Sequence, residues 1–359
     1  MNNNDRLSSL DTLRGLTVAG MILVNNGYGE SFEMLTHSHW NGMTPCDLVF
    51  PFFLFIVGIS CYLSLSKGQF SPTRPTLLRV VRRTLLLFFI GLFINWFGLA
   101  INGRPFDFAH LRLWAVLQRI ALCYFFVSMF ALYVRHRYIV PTILLLLATY
   151  STLLLLGNGY SENPDENLLG QVDLRLFGSD HLYRWSPIDP EGLLGTISGT
   201  AHALIGFYCG RLIKTKKSIE QKMTYLFATG TICALAGYLL SYGLPLNKCV
   251  WSPSFTLVTC GLAASMQALI MFLVDYRPGK PRYSCFFHVF GMNALALYVV
   301  SELLATLFWH YGIATLVYNA LHTVIIAPKC ASLAYALTFV GINYTIGYLL
   351  YRKRIFIKL

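Results

Sequence analysis

The sequence predicts an all-α integral membrane protein, a bundle of about ten transmembrane helices with both termini cytoplasmic. Three observations carry that prediction. Of 359 residues, 55% are apolar and 12% charged, about half the charged fraction of an ordinary soluble domain. The apolar residues gather in runs of roughly twenty, the length of a helix that crosses a bilayer. The basic residues are unevenly divided between the ends of those runs, 21 on one side and 6 on the other with Arg119 inside a run, and the richer side is the cytoplasmic one. Helices follow because backbone polar groups in lipid must be satisfied within their own segment.

The runs read as spans over about 10–28, 45–66, 79–101, 112–134, 138–157, 191–212, 222–243, 254–275, 284–309 and 332–351. The first opens with Asp11 and Arg14, an i,i+3 pair on one helix face, and ends at Asn25 and Asn26. The second has a start signal, with Thr44 as N-cap, Pro45 at the first position and Asp47 at the third. Arg79, Arg82 and Arg83 mark the inner end of the third. The fourth carries Gln118 and Arg119, the latter roughly 10 Å deep from the outer end.

After the fifth span comes the longest loop, 158–190, polar and irregular, of the kind that serves as a lid or binding loop. Asp189-Pro-Glu191-Gly opens the sixth span, with Asp189 as N-cap and Glu191 at the positive end of the helix. Asn247-Lys248-x-x-Trp251-Ser252 precedes the eighth. Glu302 lies in the ninth at a depth similar to that of Arg119, and the two are expected to form a buried ion pair, either as glue or as the lining of a charged-ligand pocket. His202 and Asn293 lie inside spans, open between helix–helix bonding and a lining role.

An even number of spans puts both termini on one side. The +12 net charge is accounted for by topology and gives no reason to expect a nucleic acid; the partner it implies is the lipid bilayer. All six tryptophans fall at outer ends or loops, either an interfacial belt or an aromatic mouth for carbohydrate. Met-Asn-Asn-Asn-Asp lacks the basic region of a signal peptide. No soluble domain and no internal repeat is visible, so residues 1–359 read as a single transmembrane domain. No phosphate loop, dinucleotide fingerprint or metal-ligand spacing occurs.

The chemistry concentrates in His37-Ser-His39-Trp40-Asn41-Gly42, followed by Asp47. Two imidazoles beside a carboxylate suit acid–base work. The competing structural reading makes the histidines solvated loop residues and Asp47 a helix cap. Asn25 and Asn26 are near enough in sequence to face the same loop.

Ser-Leu-Asp11-Thr-Leu-Arg14-Gly, His37-x-x-Trp40-Asn-Gly-x-Thr-x-x-Asp47-Leu-Val-Phe-Pro, Val116-Leu-Gln118-Arg119, Asp189-Pro-Glu191-Gly-Leu-Leu-Gly, Asn247-Lys248-x-x-Trp251-Ser and Gly291-Met-Asn293 occur in that order. Together they resemble the heparan-α-glucosaminide N-acetyltransferase family of transmembrane acyltransferases. The resemblance implies transfer of an acetyl group from acetyl-CoA to the amino group of a glucosamine-type sugar or glycan end across the membrane. It makes His37 the catalytic histidine and Asn25, with Asn26 as the alternative, the catalytic asparagine. It carries acetyl-CoA contacts over to Arg112, Gln118, Arg119, Glu191 and Lys248, and it implies a homodimer. Lysosomal members have an additional N-terminal luminal domain and span. This chain begins at the Leu-Asp-x-x-Arg-Gly segment and so reads as a bacterial member in the cytoplasmic (inner) membrane. His39 stands where the family has a small residue.

Amide formation from a thioester needs an uncharged amine and a stabilised oxyanion. His37 serves either as base or as acyl acceptor, with direct transfer favoured; Asp47 orients it. Trp40, Asn41, His39 and Trp251 are the acceptor-side candidates. The competing classes are a permease for amino sugars and an O-acyltransferase acting on an envelope glycan.

Overall fold

The structure, a computed structural model, describes residues 7–277 and 282–357, the side chains of 282–284 excepted. Arg6, Lys280 and Lys358, and the Arg282 side chain, counted above among the inner basic groups, lie outside the described residues. Among the described residues there is no strand, and the elements are helices throughout: α1 (Ser8–Asn25), α2 (Val49–Leu65), α3 (Arg74–Ile101), α4 (Val116–Tyr133), α5 (Ile139–Leu156), α6 (Leu168–Phe177), α7 (Thr196–Thr215), α8 (Ile219–Leu240), α9 (Pro253–Met271), α10 (Arg282–Met292), α11 (Ala294–His310), α12 (Ile313–Val324) and α13 (Pro328–Arg352).

Among the described residues, seven helical stretches are long and apolar enough to cross a membrane, or eight if α10 and α11, bent by 84° at their junction, form one broken span. Each of the ten predicted stretches overlaps a helix. Two of those helices, α1 and α7, fall short of the apolar criterion. The reason for α7 is its surroundings: most of it is buried, through Thr196, Ser198, Gly199, Thr200 and His202 among others, so protein rather than lipid meets its polar groups. The sequence opens the sixth span at residue 191; the helix starts at Thr196, because residues 189–195 are spent on turns.

The chain divides into two compact units. The first takes residues 1–37, 44–53 and 266–359. There α1 packs on α10 through reciprocal glycines. A Cβ on Gly15 would overlap the Phe287 carbonyl, and one on Gly291 would overlap the Asp11 carbonyl, the small-residue contact by which membrane helices approach closely. Val18, Ile22, Phe290, Leu297 and Phe339 form its apolar centre. Asp11 and Arg14 make the expected pair at 3.0 Å. Asn293, at the α10–α11 break, donates to the Ile355 carbonyl and accepts from the Ile357 N–H, pinning the C-terminal segment.

The second unit takes residues 38–43 and 54–265. Gly58 of α2 lies against the Ala203 carbonyl and Gly206 of α7 against that of Phe55. Loop 158–190 is not irregular, as the sequence suggested. Asn167 caps α6 by accepting the Leu169 N–H, and Gly178 ends it with φ +75°, a conformation that glycine adopts without strain. Trp40, Tyr150, Leu154, Leu169, Ile188 and Val250 make an apolar cluster that holds this loop.

Candidate active site

In the first unit, His37 and Asp47 form a dyad. Nδ1 of His37 lies 2.7 Å from Oδ1 of Asp47. An ionised carboxylate only accepts, so Nδ1–H donates and Nε2 carries the ring's lone pair. The imidazole is half-exposed while the carboxyl is buried, 52% against 0%; the ring reaches solvent and the carboxylate does not. Cys46 Sγ sits 3.2 Å from the same Nδ1. The other carboxylate oxygen of Asp47 accepts the Thr44 N–H at 3.0 Å and the Thr44 hydroxyl at 3.2 Å. The capping box read from the sequence is therefore present, and the same side chain also holds the histidine. Thr44 in turn donates to the Thr36 carbonyl at 2.6 Å, tying the loop that carries His37 to the start of α2.

The two asparagines of α1 separate cleanly. Asn26 is buried and donates to the Ile22 carbonyl of its own helix. Asn25 is exposed, and its amide donates to Oε1 of Glu302 at 3.3 Å. His39 is exposed.

The second unit gathers the residues linked above to acetyl-CoA. Arg112, placed inside the fourth span by the sequence, lies in the loop before α4. Its Nη2 donates to Glu191 Oε2 at 2.8 Å and Asp189 Oδ1 at 3.1 Å, and its guanidinium stacks over Tyr183 at 4.4 Å. Asp189 is not the helix N-cap expected. It closes a turn by accepting the N–H groups of Glu191 and Tyr183.

Arg119 on α4 is buried. One Nη donates to the Gly192 carbonyl at 2.8 Å, and the guanidinium lies 5.2 Å from the Trp251 ring. Its Nε and other Nη have no hydrogen-bond partner among the described residues, nor does either amide atom of Gln118 or the Thr196 hydroxyl. Buried polar groups without partners are costly and rare; the Gln118 amide lies against Gly91 of α3 and the Arg119 guanidinium against Gly195. Arg119 and Glu302, linked above by depth, belong to different units; within its own unit Arg119 donates to the Gly192 carbonyl and Glu302 accepts from the Asn25 amide.

Lys248 is half-buried in the turn that Asn247 organises by accepting the Val250 N–H. Asn247 also donates to Asn41 at 3.2 Å. Trp251, at φ +49°, is buried against His202 and Phe255. Trp40 is buried too, its indole N–H donating to the Tyr160 carbonyl at 2.9 Å. Both tryptophans therefore sit in the packing of the second unit rather than at its surface.

Sequence reasoning missed Asp173. On α6 it is buried, with Oδ1 accepting the Leu193 N–H at 3.1 Å and Oδ2 without a partner among the described residues. Burial pushes its carboxyl up to about 6. The signal was available: Asn167 and Gly178 bracket an apolar-periodic decamer that carries this one acid.

A family model described as the catalytic region of heparan-alpha-glucosaminide N-acetyltransferase matches residues 6–168, a stretch that includes Asn25, His37, Asp47, Arg112, Gln118 and Arg119. The human heparan-alpha-glucosaminide N-acetyltransferase is 29% identical over 420 aligned residues, covering 99% of this chain and 60% of that protein. The mouse protein of the same name is 29% identical over 366, covering 85% and 54%. The chain thus spans little more than half the length of the curated relatives it matches.

Proposed function

We propose that this chain, a relative of the heparan-α-glucosaminide N-acetyltransferases by family model and by curated similarity, is a multi-pass membrane N-acetyltransferase. It takes the acetyl group of acetyl-CoA and delivers it to the amino group of a glucosamine-type sugar or glycan end. The observation that carries this reading is the His37–Asp47 dyad at 2.7 Å, a solvent-reaching imidazole on a buried carboxylate.

The dyad's chemistry follows from its tautomer. With Nδ1–H held by Asp47, Nε2 takes a proton from the acceptor's ammonium. The freed amine attacks the thioester carbonyl, and the tetrahedral intermediate collapses by breaking its C–S bond. The departing thiolate takes the proton back from the imidazolium, which Asp47 stabilises meanwhile, and the newly acylated nitrogen gives up its remaining extra proton to solvent, leaving a neutral amide and a free thiol. Direct transfer of this kind uses His37 only as a proton carrier. The alternative, an acyl-histidine, would use the same nitrogen as nucleophile.

In the second unit, the buried guanidinium of Arg119 and the Gln118 amide offer open donors suited to a carbonyl or phosphate oxygen. Arg112 is already neutralised by Glu191 and Asp189, so its part is to fix the Asp189–Gly192 turn whose carbonyl Arg119 holds. On the ten-span reading both termini are cytoplasmic and His37 lies outside, in a bacterial inner membrane. The acetyl group then crosses the bilayer in the course of the reaction.

Purified protein in detergent tests the reading. Acetyl-CoA should release free thiol only when glucosamine is present, with N-acetylglucosamine found by mass spectrometry. Thiol release with hydroxyl-only sugars would instead mark an O-acyltransferase. Glucosamine uptake into liposomes without any thiol release would mark a permease.

A further inference from the structure

Glu302 is a carboxylate in a helix of otherwise apolar character, Leu297–Trp309 of α11. An acidic side chain at such depth is expensive, and it is kept where it has work to do. No ion pair reaches it among the described residues. Its partners are neutral: the Asn25 amide at 3.3 Å and the Tyr298 side chain one turn earlier. A half-buried carboxylate whose partners are neutral donors lacks a countercharge, and a ligand cation is the group that would supply one.

The Asn25 contact adds a direction. An ionised carboxylate cannot donate, so Nδ2 of Asn25 must be the atom turned toward Glu302. The carbonyl oxygen of Asn25 then points away from it, at the exposed end of α1. That leaves the second carboxylate oxygen and the outward-turned amide oxygen as two acceptors on either side of the Asn25 N–H contact. That is the complement of a primary ammonium, which has three donors and no acceptor.

We infer that Glu302 and Asn25 form the subsite for the acceptor's cationic amine, Glu302 supplying charge and Asn25 a directed carbonyl. The inference rests on the acetyl-transfer reading for what the amine is for, but not for whether it binds. It gives Asn25 the role of acceptor toward an N–H. It also supplies a reason for amine acceptors over hydroxyl ones: a sugar hydroxyl in the same place brings no countercharge to Glu302.

The experiment is binding, measured apart from turnover. Glucosamine and N-acetylglucosamine are titrated by calorimetry into the wild type, Glu302→Gln and His37→Ala. The wild type should prefer the charged sugar by about ten-fold, the worth of one charge-assisted contact. Glu302→Gln keeps an oxygen for the Asn25 amide but removes the charge, and should bind both sugars alike with an unchanged melting temperature. His37→Ala should lose transfer and keep the preference. Equal binding of both sugars by the wild type, or an undiminished preference in Glu302→Gln, overturns the inference. Should the wild type release no thiol and yet show the preference, the transfer reading fails and the ammonium subsite stands. If Glu302→Gln will not fold, Glu302→Asp decides: a subsite predicts a weakened preference, and a purely structural carboxylate predicts none lost.

Discussion

At the scale of single residues, Asp47 resolves two readings that the sequence left as rivals. The Thr44-x-x-Asp47 spacing pointed to a helix cap, and the nearby histidines pointed to catalysis. The structure has the cap and a contact with His37 on one side chain, because a carboxylate has two oxygens, Oδ2 meeting Thr44 and Oδ1 meeting His37. The spacing was legible because a capping box is local; which of two histidines meets the carboxylate was not, because that depends on the path of the loop. A prediction follows from the division. Asp47→Asn keeps a carbonyl for one task and loses the charge, and its amide cannot hold the Nδ1–H tautomer as the carboxylate does. We expect glucosamine-dependent thiol release to fall by about 10² to 10⁴, on the pattern of orienting carboxylates in acyl transfer, with a stability loss of only about 1 kcal/mol from the weakened cap. Rates within a few-fold of wild type would remove Asp47 from the mechanism.

Among the elements, the helices that face lipid were the easy ones to read. In α3 only 11% of the most apolar window is buried, so beyond its basic first turns the sequence is almost wholly apolar and announces a span. The buried α7 can place Ser, Thr and His against protein and so dilutes its own signal. The short α6 was read as irregular loop because its polar flanks outweigh its apolar face. It matters through Asp173, which fixes α6 to the Leu193 N–H. The folded carboxyl titrates near 6 against 3.8 for an ordinary aspartate. Its folded pKa is raised, so between those values the folded state holds the proton more tightly than the unfolded state. Stability from this group is therefore full below about pH 4, falls as pH climbs toward 6, and stays low above, by at most about 3 kcal/mol. Asp173→Asn mimics the protonated form. Its melting temperature should exceed that of the wild type at pH 7 and converge with it near pH 4. A variant less stable than wild type at pH 7 would show that the charged form is the one the fold uses.

For the whole molecule, the number of crossings decides where the chemistry happens, and parity makes it testable. Seven crossings would put the termini on opposite sides, whereas eight or ten put them together. Charge argues for ten. If α7 did not cross, Lys214, Lys216 and Lys217 would join Arg175 and Arg184 on the outer face, and the 21-to-6 asymmetry would lose its sense from there to the C-terminus. The same holds for α1: were it not a span, Arg14 would share a side with the loop of His37. On the ten-span reading, polar α1 and α7 are crossings that composition hides and basic residues expose. Single cysteines placed at Glu162 and at Lys216, in a background where the native cysteines are replaced by serine or alanine, separate the cases. On the ten-span arrangement an impermeant maleimide added to intact cells labels position 162 and leaves 216 untouched until the membrane is opened. A tag at each terminus should be reached by protease only after opening as well. Labelling of both loops from outside would remove α7 from the membrane and leave an odd count. His37 would stay outside on that result, since only α1 and the N-terminus set its side. Protection of a cysteine at Ser38 from the outside reagent would be the finding that returns the dyad to the cytoplasm and does away with acetyl transfer across the bilayer.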